Sequence, residues 1–417
     1  MTSAGSQGSQ GSQGRLDSQG SQGRLDSQGS QGRLGSQGSQ GRLVVALDAT
    51  PLLTSRAGVG EFCWYALQHL GARPELRTAA FAISWRRRHG LRAQLPRGVE
   101  LRDRPMPARP LHWSWSRWPF PPIEAFIGRA DVVHGTNFVV PPARRAAMVV
   151  TVHDLTPVRF PELVERATLA YPELISQAVR RGAWVHTPTE FVAGEVVEVF
   201  GAAPERVRAV HHGVAPRQVS AAAAAEVVAG LLPGWVERYI LFVGTVEPRK
   251  DLATLVRAFG TIGKRRPGLA LVIAGREAWG RDRLDEAVAA CSVPGQVVRL
   301  GRVADAARDA LVARAELLAY PSLYEGFGLP PLEAMAAGTP VVASRVGALE
   351  EVLGDAARLF AVGDSDALAS AMEELLDDRA LRDDLVARGY RQAARYDWDV
   401  CAAGLAALYV EAAAGRR

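Results

Sequence analysis

The chain has 417 residues, 48% hydrophobic and 22% charged, which excludes wholesale disorder and is long enough for two domains of ordinary size. Three scattered cysteines, Cys63, Cys291 and Cys401, exclude a disulfide framework and a four-thiolate zinc site, and suit a reducing cytoplasm. The net charge of +5 is uneven, because residues 82–118 hold nine arginines against Glu100 and Asp103, together with Trp85, Trp113, Trp115 and Trp118. Such a segment fits peripheral contact with an anionic membrane on the inner face of the plasma membrane, and it fits a solvated loop equally well. Nothing points to nucleic acid. No apolar run is long enough to span a bilayer, and the N-terminus lacks the apolar core of a secretory signal, so a cytoplasmic protein is expected.

Residues 1–42 read as a disordered low-complexity tail. From Ser9 a nine-residue unit, SQGSQGRLD, repeats with almost nothing apolar to bury. A nine-residue calcium-binding β-helix needs clustered Asp, and Asp17 and Asp26 are the tract's only acids. At LVVALDA (43–49) the pattern becomes that of a buried parallel strand. The loop TPLLTSRAGVG and the helical EFCWYALQHL follow it. Gly58 and Gly60 in that loop resemble part of a phosphate-binding turn, but the G-x-G-x-x-G pattern is incomplete. Strand-then-helix units recur at ADVVHGTN, MVVTVHD, WVHTPTE and VRAVHHG, then at YILFVGTVEPRKD, ALVIAGRE, QVVRLGRV, AELLAYPS, PVVASRVG and ARLFAVGD. This alternation predicts an α/β protein with two doubly wound parallel sheets facing each other across a cleft. The expected divisions are 43–232, 237–392 and a C-terminal helix in 393–417 packing back on the first domain.

The strongest motif is YEGFGLPPLEAMAAGTPVVAS (324–344), in which Glu325 and Glu333 stand eight apart. Gly326 and Gly328 would let the backbone approach a ligand, and the helix opening at PPLEAMAAG offers free N–H groups to an anion. Paired carboxylates there suit a polyhydroxylated ligand, whose hydroxyls they accept. In VGTVEPRKDLATLVRAF (243–259), Arg249 and Lys250 lie between a strand end and a helix, where cations neutralise a diphosphate leaving group. In VVTVHDLTP (149–157), His153 ends a buried strand, with Asp154 beside it to orient the ring. Two D-x-D triplets, at 364–366 and 397–399, open helices and read as N-caps, so no metal site is expected.

Together these phrases resemble the retaining GT-B glycosyltransferases of family 4, over residues 43–412. GVGEFCWYALQHL, VVHGTNFVVPP, TVHDLTPVRFPE, HTPTEF, LFVGTVEPRKD and the E-x7-E segment look most like the bacterial mannosyltransferases of O-antigen and polysaccharide assembly. The resemblance implies transfer of a hexose, first of all mannose, with no cofactor beyond a nucleotide-sugar co-substrate (GDP-mannose or a UDP-hexose) and no obligatory metal. The acceptor would be a polysaccharide, a glycolipid or a small molecule. Glu325 would contact the transferred sugar and Glu333 the ribose. The amides of Phe327, Gly328 and Leu329 would lie against sugar and diphosphate, and Lys250 with Arg249 would bind the diphosphate. His153 would stand at the donor's reacting face, Val303 near the base, and Gly58 and Gly60 in the loop that closes on donor and acceptor. Many members carry Arg where this chain has Thr245, which makes Arg249 the replacement cation. A catalytically silent nucleotide-sugar-binding protein, an epimerase and an NAD-dependent enzyme are the competing expectations.

Overall fold

The protein is described by a computed structural model covering residues 41–54, 58–215 and 219–415. The repeat tail, apart from its last two residues, and residues 55–57 of the glycine-containing loop lie outside the described residues. In the first half the strands are β1 (Leu43–Asp48), β2 (Leu76–Phe81), β3 (Glu100–Leu101), β4 (Val132–Gly135), β5 (Ala147–Thr151), β6 (Trp184–Thr187) and β7 (Val207–Ala209). They form one sheet in the order β3-β2-β1-β4-β5-β6-β7. The second half holds β8 (Arg238–Val243), β9 (Leu269–Ala274), β10 (Val297–Gly301), β11 (Leu317–Tyr320), β12 (Val341–Ser344) and β13 (Arg358–Phe360). Their order is β10-β9-β8-β11-β12-β13.

Every pairing of these strands is parallel. Parallel sheets carry helices on both faces, and β1 shows why its run is apolar throughout. Val45 and Leu47 enter one core layer with Phe62 and Leu67, while Ala46 enters the other with Val133 and Val150. The second half has one large core around Phe242, Phe259, Leu271 and Leu318. Strand order reverses beside β1 and again beside β8. Ligands of open α/β sheets bind at the carboxyl ends of strands at such reversals, and these two points place the site described below.

Leu76–Phe81 and Glu100–Leu101 were not anticipated as strands. LRTAAF has a single β-branched residue, and its pairing with β1, from Leu43 opposite Leu76 to Asp48 opposite Phe81, is what makes it a strand. The helix Ala221–Leu231, placed by sequence before a division at 232, instead lays Val228 and Leu231 against the second core. The chain crosses between the halves twice, side by side, with the Val214 amide donating to the Tyr396 carbonyl at 2.9 Å. Gly213 permits this crossing, because a Cβ there would lie 2.5 Å from Trp398. The helix Trp398–Ala414 then returns to the first half, where Cys401, Leu405 and Tyr409 join the layer of Phe62. No described helix is long and apolar enough to cross a membrane.

Candidate active site

At the carboxyl end of β8 the chain makes a short turn, Pro248–Lys250, before the helix Leu252–Gly263. At the end of neighbouring β11 it runs through Ser322 and Glu325 to the helix Leu329–Ala336, with prolines in the first turn. The two turns meet in a charged cluster. The Lys250 ammonium donates to the Glu325 carboxylate and, at 2.7 Å, to the Tyr320 hydroxyl, and it sits 4.7 Å from that ring's centre. The Arg249 guanidinium pairs with the second Glu325 oxygen at 3.0 Å and with Glu247 at 2.7 Å, and it donates to the Tyr324 carbonyl at 2.7 Å. Lys250 and Glu325 are each 6% exposed. Burial alone would raise the Glu325 carboxyl, but Arg249 and Lys250 outweigh it and hold the group at about 2. Burial, with Arg249 beside it, draws the Lys250 ammonium below its ordinary value against the opposing pull of Glu325. Arg249, expected as a replacement cation for a diphosphate, is thus already turned onto two carboxylates.

At the carboxyl end of β5, His153 is buried with its Nε2 2.8 Å from the Thr136 carbonyl. The expected partner was Asp154, but Asp154 instead accepts the Thr156 amide at 2.8 Å, so it shapes the turn while the Thr136 carbonyl orients the ring. Burial lowers the His153 imidazole, against the weaker influence of Thr136 and Asp154. A neutral ring donating through Nε2 presents Nδ1 as its acceptor. Phe62 and Phe138 stand edge-on to it at 5.3 and 5.7 Å. Behind it the Tyr409 hydroxyl, His134, Thr151 and His186 form a buried chain of hydrogen bonds of 2.7 to 2.9 Å. Burial pulls His134 and His212 well down and His186 to about 3.

The halves touch through the E-x7-E loop. Gly326 was expected to admit a ligand, yet what its missing side chain admits is protein: a Cβ there would lie 1.8 Å from the His153 carbonyl oxygen. The Thr189 hydroxyl donates to the Gly326 carbonyl at 3.1 Å. Phe327 is buried, its ring 5.0 Å from that of His212 and 5.7 Å from that of Tyr396. Gly328, at φ 102°, opens the helix Leu329–Ala336 in a conformation that favours glycine, and a Cβ there would meet Leu349 at 2.5 Å. Glu333, in that helix, pairs with Arg308 at 3.7 Å. Val303, beyond β10, packs its side chain on the second core. Gly58 opens the helix Val59–Gly71 at φ 57°, and Gly60 is buried in its first turn. The D-x-D triplets are caps: Asp364 accepts the amides of Asp366 and Ala367, and Asp397 those of Asp399 and Val400.

Four residues at this junction escaped the sequence reading. Asp48, ending β1, is buried against the Thr50 amide at 2.9 Å, and burial pushes its carboxyl up to about 6. An acid closing the apolar run LVVALD was the available signal. Glu351 accepts the amides of Glu190 and Phe191, each at 2.9 Å, and pairs with His211 at 2.8 Å. It thereby caps a first-half helix, Glu190–Phe200, from the second half. Tyr324 and Glu195 complete the set, and no local pattern marks their pairing.

Two facing parallel sheets, with paired carboxylates and cations at the strand ends, define a two-domain transferase of the GT-B fold. The match to known proteins makes this specific. Residues 236–392 match the family described as "Glycosyl transferases group 1", and residues 58–218 match "Glycosyltransferase Family 4". The O-antigen chain mannosyltransferase B of Escherichia coli is 33% identical over 276 residues, covering 65% of this chain and 71% of that protein. A phosphatidyl-myo-inositol mannosyltransferase of Mycolicibacterium smegmatis is 40% identical over 187 residues, 43% of this chain and 47% of that one. The alignment thus spans about half the length of that second relative. Among solved structures, Anabaena HepE in complex with UDP and glucose superposes with a TM-score of 0.66 at 18% identity, covering 87% of this chain and 98% of that one. WaaG, a glycosyltransferase involved in lipopolysaccharide biosynthesis, gives the same score, identity and coverage. The chain belongs to the family 4 glycosyltransferases.

Proposed function

We propose that this glycosyltransferase moves a hexose, mannose in the first instance, from a nucleotide sugar to a polysaccharide, glycolipid or small-molecule acceptor with retention of configuration. The observation that carries this reading is the Glu325 carboxylate, kept ionised by Lys250 and Arg249 ahead of a helix N-terminus, with the adjacent Gly326 against the His153 carbonyl. An ionised, oriented carboxylate accepts sugar hydroxyls, and the amides of Phe327, Gly328 and Leu329, ahead of the two prolines, receive the diphosphate together with Lys250. Glu333 holds the ribose, and Val303 lies at the base. His153 offers Nδ1 to a donor hydroxyl, and the departing phosphate takes the acceptor's proton. The mannosyltransferase names of the relatives support mannose, and the neighbour's UDP supports a nucleotide-sugar donor.

The test is a melting-temperature panel with GDP-mannose, UDP-glucose, UDP-N-acetylglucosamine and NAD, each with and without EDTA, followed by transfer assays. GDP-mannose at a hundred times its dissociation constant should stabilise by about 2.7 kcal/mol, EDTA changing nothing. A response to NAD alone, or conversion of a nucleotide sugar without an acceptor, would replace this reading.

Separately, we propose that residues 82–118 make peripheral contact with an anionic membrane surface. Trp85, Trp113, Trp118 and Phe120 are each more than half exposed, and Arg117 lies over Trp113 at 4.6 Å. Trp115 departs from the expected surface: it is buried, with its indole donating to the Pro121 carbonyl at 2.9 Å. Binding to phosphatidylglycerol vesicles that weakens steeply with salt supports the contact, and equal indifference to anionic and neutral vesicles refutes it.

A further inference from the structure

By chain order, the loop between β11 and the helix Leu329–Ala336 belongs to the second half, yet one of its side chains is built into the first. Tyr324 is 5% exposed and clusters with Val152, Leu155, Val192 and Val196 of the first core. Its ring lies 5.6 Å from that of Phe160 and 6.2 Å from that of Phe191. The hydroxyl accepts the Leu155 amide at 3.0 Å and donates to the Glu195 carboxylate. Glu195 is also buried and is held from its other side by Arg159 at 2.8 Å. The Tyr324 carbonyl, in contrast, accepts from Arg249 of the second half. One residue thus faces two ways. Its side chain is satisfied wholly by the first half, and its backbone is tied to the cluster that holds the adjacent Glu325.

We propose that Tyr324 is a positioning residue, a plug that docks the Glu325 loop into the first half and so sets Glu325 against His153. This rests on the transfer reading above and adds to it a residue that touches no substrate. A tyrosine serving only as packing needs its ring buried. Here the hydroxyl bridges Leu155, two residues from His153, and the ion pair of Glu195 with Arg159. Withdrawing the plug would leave the Leu155 amide and one Glu195 oxygen without this partner, so the halves separate only when these bonds break. Docking and the placement of Glu325 are therefore a single event.

The experiment compares Tyr324→Phe, Glu195→Ala and Glu195→Gln in the full chain, by amide hydrogen exchange and by steady-state transfer. Hydrogen bonds to a charged group are worth about tenfold or more in an equilibrium. In Tyr324→Phe, exchange at the Leu155 amide should accelerate by about tenfold while the β4 amides stay protected, and kcat/KM should fall by a similar factor. Glu195→Gln, which keeps an acceptor for the hydroxyl, should recover most of what Glu195→Ala loses. Unchanged exchange at Leu155 in Tyr324→Phe overturns the proposal, as does equal acceleration across β4, which would mean general destabilisation. If the unaltered chain transfers from none of the donors, the transfer reading fails, while exchange at Leu155 still decides whether Tyr324 docks the loop.

Discussion

The carboxyl ends of the two sheets meet the same physical problem in opposite ways. Each must hold polar groups in a place largely closed to water. The second half does so with charge: Arg249 and Lys250 against Glu247 and Glu325, two of each sign within one cluster. Around His153 the first half does so with neutral groups, passing hydrogen bonds from Tyr409 through His134 and Thr151 to His186, and from His153 to a backbone carbonyl. A compensated ion cluster fails when one member is removed, because an unpaired charge is left behind. A neutral network fails when protons are added.

Removing one charge is the sharpest way to break the comparison. Glu325→Ala leaves the buried Lys250 and the partly buried Arg249 with Glu247 as their one remaining carboxylate and should cost about 3–5 kcal/mol in urea unfolding, with transfer abolished. Removing the first-half counterpart, His153→Ala, should abolish transfer at a smaller loss of stability; equal losses would erase the distinction. Next in size is Gly326→Ala. Its methyl group would overlap the His153 carbonyl, so the halves must part, at about 1–3 kcal/mol and with a large fall in kcat/KM. Wild-type kinetics in that variant would show that the contact between the halves is not used.

Acid separates the two chemistries by the pH range in which each loses stability. His186 is held at about 3 against an ordinary 6.5, so its contribution is complete above pH 6.5 and lost as pH falls toward 3, by up to about 1.4 kcal/mol per pH unit. His153 shifts in the same direction. Asp48, raised from 3.8 to about 6, runs the other way: its contribution is complete below 3.8 and lost as pH rises through 6, so it offsets one imidazole in between. Glu325, at about 2 against 4.5, loses its contribution only below pH 4.5. The melting temperature should therefore begin to fall between pH 6.5 and 5, before the ion cluster is touched, and calorimetry across that range checks it. The smallest effect belongs to Glu351→Ala, which uncaps the helix Glu190–Phe200 and should cost about 1 kcal/mol.

Much of this was legible where the information is local. Strands with β-branched runs, the helix start at Pro330 and Pro331 and the N-caps at Asp364 and Asp397 each depend on a few neighbouring residues, and all were read from spacing. The E-x7-E segment was legible for the same reason, since its glycines, prolines and carboxylates are contiguous. What escaped is pairwise and distant. Tyr324 and Glu195 are 129 residues apart, and no pattern near either announces the other. Gly326 was read as making room for a ligand because sequence shows that a side chain is missing but not what fills its place. His134 and His186 become one network only after the strand order sets β4, β5 and β6 side by side.

The return of the helix Trp398–Ala414 to the first half has a consequence for synthesis on the ribosome. The β-strands of the first half are made first, yet the layer holding Phe62 and Leu67 is closed by Leu405 and Tyr409, and His134 waits for the Tyr409 hydroxyl. The second half, whose core ends at Tyr396, has all its parts earlier. The half that leaves the ribosome first is thus the last to be completed, and throughout elongation it presents an apolar face of the kind that chaperones hold.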